Sequence, residues 1–372
     1  MPSNLGASFW VRMGLQEADR NVCIRAIESV YPHKRVEEFA NQGHCSFTIL
    51  VSSTPEALFQ EDGDDTGDSA MAASPFIVQI RPQQHSLDQK ITWAAYRVYG
   101  SLVPSVRTVQ CPLPRGLTAV EMDLKEGVPS SRLLSRARVI DAETSTWNKQ
   151  VRLVESLASF IACAWPSIPS DKPSPRYTRA DSPMSDGPSW LAKCPGKVGA
   201  NIVRKLEKLS HQLPDAGLRE RARDTLDRLM RTADYPVVLN QGDLIPTNIL
   251  IDRDTWEITG VVDWAEAEWL PFGTCLYGLE HLLGYLDCSS SAPEFRYYEG
   301  SEVLRKLFWL KLAEEKPEVE ASLKNVEVMR DIGVLLWLGY AWDDGQIDRV
   351  VNYVDDGEEL ARLRAFLEVS GG

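Results

Sequence analysis

A chain of 372 residues, 44% hydrophobic and 25% charged, has enough apolar content to bury sizeable cores and enough length for two lobes or domains. Its 40 lysines and arginines stand against 53 acidic residues, a formal net charge of −13. That balance argues against nucleic acid or an anionic membrane as partner, since either needs a basic face. Seven cysteines lie scattered, with no C-x-x-C pair, so neither a disulfide framework nor a zinc site is expected. The longest apolar run, Val334 to Trp342, is about half of the ~18 residues a membrane span needs. The first residues carry no basic stretch ahead of a long apolar one. A soluble, reduced, cytoplasmic protein is the expectation.

In chain order, β-like runs come first: Phe47–Ser52, Phe76–Pro82, Val106–Cys111 and Leu117–Met122, with an amphipathic helix over Leu87–Tyr99. Residues 54–75 are acidic and rich in turn formers, and residues 166–189 hold six prolines; both read as long loops. After residue 140 the pattern turns helical. Val151, Val154, Leu157, Ile161 and Ala164 recur at helical spacing, as do Ile202, Leu206, Leu209 and Leu213. Short strands at Val237–Leu239, Asn248–Asp252 and Ile258–Asp263 interrupt the helices. The expected architecture is α+β and two-lobed, with a small β-rich N-lobe over 1–122 and a larger, mainly helical C-lobe over 123–372.

Residues 235–273 carry the chemistry. Asp243 is followed by Asn248 and then by Asp263 at the end of an apolar strand. Phosphoryl transfer from ATP needs such a set: one carboxylate to take the proton of the attacking hydroxyl, and an amide oxygen and a second carboxylate to hold magnesium on the phosphates. Magnesium prefers hard oxygen ligands and keeps waters, so two protein ligands suffice. Each residue alone reads equally as a turn cap or strand end. The ordered string, with Gly242, Pro246 and Trp264 at its joints, favours the chemical reading.

Q-G-D-L-I-P-T-N-I-L at 241–250 and V-V-D-W at 261–264 resemble the catalytic loop and metal segment of the aminoglycoside phosphotransferase and choline kinase family, relatives of the protein kinases. The stretch A-E-A-E-W-L-P-F-G at 265–273 looks most like the fungal branch of that family. The resemblance implies a protein-kinase-like fold, ATP and Mg²⁺ as cofactors, Asp243 as catalytic base, and Asn248 and Asp263 as magnesium ligands. Gln241 stands where the family usually has a histidine that supports the loop, and an amide donates and accepts similarly.

The resemblance also implies a lid over the phosphates and a lysine beside them. The lid candidate is A-N-Q-G-H-C-S-F-T at 40–48, with Gly43 and Ser46 as the residues to meet nucleotide; a plain β-turn is the alternative. The lysine strand, PFIVQIRP, contains no lysine. Alternation sets Gln79 and Arg81 opposite Val78 and Ile80, so Gln79 and Arg81 are the phosphate candidates, unless Arg81 is an edge charge. The usual partner glutamate has Thr92 or Trp93 in its place. The linker is read as Val120–Gly127, with Glu121 and Met122 as adenine-binding candidates through their backbone.

Acidic clusters at Asp343, Asp344 and Asp348 and at Asp355, Asp356, Glu358 and Glu359 would attract an amine-bearing acceptor, or form solvated helix faces. Trp337, Tyr340 and Trp342 would line a pocket or pack in the core. The expected function is transfer of the ATP γ-phosphoryl to a metabolite hydroxyl, with fungal secondary metabolism as a setting. The alternative is a kinase-fold protein that binds without turnover or runs other chemistry in the same cleft.

Overall fold

The computed structural model describes residues 8–54, 74–134, 145–166, 187–290, 292–341 and 347–369. The two expected loops lie almost wholly outside these residues, as do Trp342, Asp343 and Asp344. The chain divides into two compact units, Met1–Tyr96 with Val103–Lys125 and Arg97–Leu102 with Glu126–Gly372.

The first unit opens with α1 (Phe9–Arg12) and α2 (Glu17–Val30), then builds a five-stranded antiparallel sheet from β1 (Lys34–Glu38), β2 (Phe47–Ser53), β3 (Phe76–Pro82), β4 (Val106–Val109) and β5 (Leu117–Asp123) in the order β1-β2-β3-β5-β4. Helix α3 (Gln89–Tyr99) crosses the division between the units. One sheet face buries Phe47, Ile49, Val51, Val78 and Ile80 against Phe9, Trp10, Cys23 and Ile27 of the two N-terminal helices. Burying each large side chain contributes about 1.5–3 kcal/mol. Neither α1, α2 nor β1 is marked by the sequence pattern. Helix α2 buries only Cys23, Ala26 and Ile27, too little apolar surface for a strong 3.6-residue period. Strand β1 is the charged K-R-V-E-E run, and a sheet edge tolerates charge because it discourages further pairing.

Strand β5 runs on through Asp123, past the expected end at Met122. Glu121 is in register with Val78 on one side and Arg107 on the other, and Met122 with Ile77 and Val106. Both residues are therefore paired on either side within the sheet. The segment beyond the ladder is Leu124–Glu126.

The second unit holds α4 (Ser145–Ala164), α5 (Ile202–Gln212), α6 (Ala216–Met230), α7 (Tyr277–Leu282), α8 (Ser301–Glu315), α9 (Pro317–Ala321), α10 (Leu323–Leu338) and α11 (Gly357–Glu368). Its strands are β6 (Val128–Pro129), β7 (Val237–Asn240), β8 (Ile249–Ile251), β9 (Ile258–Val261), β10 (Glu268–Pro271), β11 (Gly284–Asp287) and β12 (Glu294–Tyr297). They form two antiparallel pairs, β7 with β10 and β11 with β12, and a three-stranded sheet ordered β6-β8-β9. Leu153, Val154, Leu157 and Ile161 of α4 are all buried, as the helical spacing predicts. At Gly333 a Cβ would stand 1.8 Å from Thr274 O, so only glycine lets α10 lie against the turn ahead of α7.

Helix α7 is also held by buried charge. Glu280 accepts from Arg305 at 3.1 and 2.7 Å, and Arg330 approaches it at 3.8 Å. Arg330 also pairs with Asp331 at 2.7 Å, and Asp331 with Arg221 at 2.8 Å. The α+β fold class holds, with a β-rich first unit and a mainly helical second. No helix among the described residues is long and apolar enough to cross a membrane.

Candidate active site

In the second unit, residues 241–248 link β7 to β8, and Asp263 follows β9. The apolar runs V-V-L, I-L-I and I-T-G-V form strands that are largely enclosed: Val238, Leu239, Ile249, Ile251, Ile258 and Val261 are all buried. Tyr99 Oη donates to Leu239 O at 2.7 Å, and its ring stacks on Phe160 and meets Trp264. Trp264 Nε1 donates to Val261 O at 2.9 Å. Ser130 Oγ and Ser131 N both donate to Pro246 O, at 2.9 and 3.1 Å, fixing the middle of the loop.

Gln241 is fully buried and joins the two segments. Its Nε2 donates to Val262 O at 3.1 Å and Asp263 O at 2.9 Å, while its Oε1 accepts from Asp243 N at 2.6 Å. Val262 N donates to Asn248 O at 2.9 Å, a second tie between the loop and the strand end. Gly242 has no room for a side chain, since a Cβ would stand 1.8 Å from Glu266 O. Gln241→Leu would leave one peptide N–H and two carbonyls without this partner. At about 1–3 kcal/mol for each buried group left unpaired, urea denaturation is expected to show a loss of several kcal/mol.

Asn248 Nδ2 donates to Asp243 O at 2.9 Å and Asp243 Oδ2 at 2.8 Å. Only the amide nitrogen can face two acceptors, so Oδ1 is turned the other way, and it accepts no hydrogen bond among the described residues. An oriented, unengaged amide oxygen is the kind of donor magnesium takes. Asp263 is exposed and left-handed at φ 56°, a backbone state that costs a residue other than glycine about 1–2 kcal/mol. The Gln241 bond to its carbonyl helps hold it there. Such local strain gathers where a side chain must point one way. Burial, then the Asp263 charge, pushes the Asp243 carboxyl up to about 6, against the opposing Asn248 hydrogen bond, with Glu266 adding a further push. A carboxylate poised near neutral pH suits general-base work. Asn248 Oδ1 and the Asp263 carboxylate are thus chemically fit to hold magnesium, which would neutralise phosphate charge.

The sequence did not reveal Tyr277, whose hydroxyl reaches Gly242 and Leu244 on either side of Asp243. No motif marks a tyrosine so far along the chain. His281, beside it, is pushed down to about 3 by burial and the Arg362 charge, so its ring is neutral.

The remaining candidates lie in the first unit. Arg81 is buried; its Nε donates to Gln79 Oε1 at 3.0 Å and its Nη1 to His85 O at 3.2 Å, so the expected shared face is real. Thr92 is buried on α3 and Trp93 is exposed. Gly43 lies outside the left-handed region; a Cβ there would meet the Oγ of buried Ser46 at 2.6 Å. The Gln42 side chain spans this turn, donating to Phe39 O and Thr48 O and accepting from Thr48 N. The Glu121 carboxylate accepts from Arg107 Nε and Nη2, each at 2.6 Å, and from the Tyr31 hydroxyl.

Several acceptor-side candidates in the second unit have partners within it. Tyr340 Oη donates to Lys205 O at 2.8 Å, and the Lys205 ammonium lies 4.2 Å over its ring. Asp348 approaches Lys205 at 3.9 Å, Asp356 pairs with Arg349 at 2.6 Å and Glu358 with Arg362 at 3.3 Å. Trp337 stacks on Tyr277, with centroids 5.1 Å apart and planes 8° apart.

The half-buried loop thus sets the Asp243 carboxyl and the Asn248 amide oxygen near the Asp263 carboxylate, an all-oxygen arrangement. The chain belongs to the phosphotransferase enzyme family, whose profile matches residues 65–274, more than half of its length. No curated protein matches it. Among solved structures it is similar to an aminoglycoside phosphotransferase, APH(4)-Ia, in ternary complex with AMP-PNP and hygromycin B (14% identity, 94% of this chain and 99% of that one, TM-score 0.49). It is also similar to the choline kinase LicA from Streptococcus pneumoniae (11%, 95% and 99%, 0.46). A third is the macrolide 2'-phosphotransferase MphH from Brachybacterium faecium (14%, 95% and 99%, 0.44).

Proposed function

We propose that this phosphotransferase moves the γ-phosphoryl of ATP to a hydroxyl group of a small molecule. The acceptor oxygen bonds to the γ-phosphorus, the bond to the β–γ bridging oxygen breaks, and ADP leaves. Asp243 takes the proton of the acceptor hydroxyl, while Asn248 and Asp263 hold magnesium. Gln241 keeps the loop and the metal segment in register. In the first unit, Gln79 and Arg81 are assigned to the phosphates, with Gly43 and Ser46 in the covering turn; Leu124–Glu126, where the chain passes from the first unit into the second, is assigned as the adenine segment. The fungal look of residues 265–273 supports a natural-product intermediate as acceptor, and the free thiols suit the cytoplasm.

The observation that carries this reading is the Asn248 amide, locked by Asp243 with its oxygen turned outward. The test is calorimetric titration of ATP with and without Mg²⁺. Saturable binding that requires Mg²⁺ is expected, and an acceptor screen would follow. No binding at millimolar nucleotide would overturn the reading and turn attention to another ligand for the same residues.

A further inference from the structure

The peptide groups on either side of Asp243 are held from outside their own loop. Tyr277 Oη donates to Gly242 O at 2.8 Å and accepts from Leu244 N at 3.3 Å. A hydroxyl can serve both, having one hydrogen and two lone pairs. The polar backbone atoms of Asp243 itself are met locally, its N by Gln241 Oε1 and its O by Asn248 Nδ2 and Ile245 N. Tyr277 is thus the one of these partners contributed by a helix rather than by the loop.

The phenol has little freedom to wander. Tyr277 is buried, and its ring lies nearly parallel to Trp337 of α10. The next residue, Gly278, is so close to the loop that a Cβ would stand 2.6 Å from Leu244 O. Gly333 brings α10 closer still to Thr274, just ahead of α7, where a Cβ would stand 1.8 Å from Thr274 O. Backbone contact on two sides and a ring stack on a third fix the hydroxyl relative to the loop.

We propose that Tyr277 is a positioning residue for phosphoryl transfer: its hydroxyl clamps the two peptide groups flanking Asp243 and so sets where that carboxylate stands. The inference rests on the reading of Asp243 as the proton acceptor. Tyr277 touches neither substrate nor metal in this role. Its contribution is geometric, and a displacement of about 1 Å in a reacting group costs about 10²-fold in rate.

The probe is Mg·ATP with water as acceptor. Water oxygen bonds to the γ-phosphorus, the bond to the bridging oxygen of ADP breaks, and Asp243 takes the proton. In Tyr277→Phe, kcat for ADP formation is expected to fall about 10–100-fold while KM for Mg·ATP stays within about twofold. A merely structural role would lower the denaturation midpoint and leave kcat of the folded enzyme unchanged, so both proteins are assayed where circular dichroism shows them folded. Trp337→Leu keeps the hydroxyl but frees the ring, and is expected to lower kcat about 3–10-fold with KM unchanged.

Wild-type kcat in folded Tyr277→Phe would overturn the inference and leave phosphotransfer standing. Should Tyr277→Phe not fold, wild-type kcat in Trp337→Leu would overturn it. Absence of ADP formation and of nucleotide binding in the wild-type protein would instead overturn phosphotransfer, and this inference with it.

Discussion

Asp243→Asn is expected to cut turnover by about 10²–10⁴-fold, the usual worth of a positioned general base, and at the same time to make the protein more stable at pH 8. The two effects share a cause. Burial and the charge of Asp263 hold the Asp243 carboxyl at about 6, against an ordinary value of 3.8. A raised carboxyl favours the folded state only while it is protonated. That advantage is fully present below about pH 4 and is lost as pH rises through about 6. Above that, the ionised group costs the fold about 3 kcal/mol, at about 1.4 kcal/mol per tenfold change in proton affinity. The amide cannot ionise, yet its oxygen still accepts from Asn248. Urea denaturation of both proteins from pH 4 to pH 8 should give midpoints that coincide at the acidic end and separate in favour of Asp243→Asn through pH 6. Equal stability at pH 8 would show that Asp243 carries no ionisation penalty. The wild-type rate should rise with pH through the same region.

The second large effect is expected at Asp263. Asparagine is the informative substitution, because it tolerates the left-handed backbone that alanine would strain at φ 56°. Losing even an outer partner of a metal ligand costs about 10–100-fold in affinity, so removing the charge of a direct ligand should weaken Mg²⁺-dependent ATP binding at least that much. Calorimetry of Asp263→Asn checks it, and wild-type affinity would remove Asp263 from the metal site. The acidic limb of any residual activity should also move to lower pH, since Asp263 is the second cause of the high Asp243 value.

The sequence read well where one residue type has one job. Alternating apolar runs located β2, β3 and β5 within a residue or two, and the loop string brought Gln241, Asp243, Asn248 and Asp263 together. It read poorly where tertiary partners decide. Strand β5 outlasts its apolar run by one residue because Phe76 of β3 still pairs with Asp123, which no local pattern records. Strand β1 was invisible because an edge strand can be nearly all charge. Trp337 could have lined a pocket or packed in a core, and only the ring beneath it explains its place. Tyr277 was missed because its hydroxyl matters through backbone atoms, whose positions leave no trace in side-chain identity.

The three hydrogen bonds of Gln241 bear on how this position could have changed over evolutionary time. A neutral imidazole offers one N–H and one acceptor nitrogen; a protonated one has no acceptor at all. The amide here supplies an acceptor to Asp243 N and two hydrogens to Val262 O and Asp263 O. Once the backbone of residues 262–263 had settled around two donors, histidine would have had to share a single hydrogen between two carbonyls. Histidine at this position is therefore disfavoured unless the strand end moves with it, so position 241 and the backbone at 262–263 are expected to change as a unit.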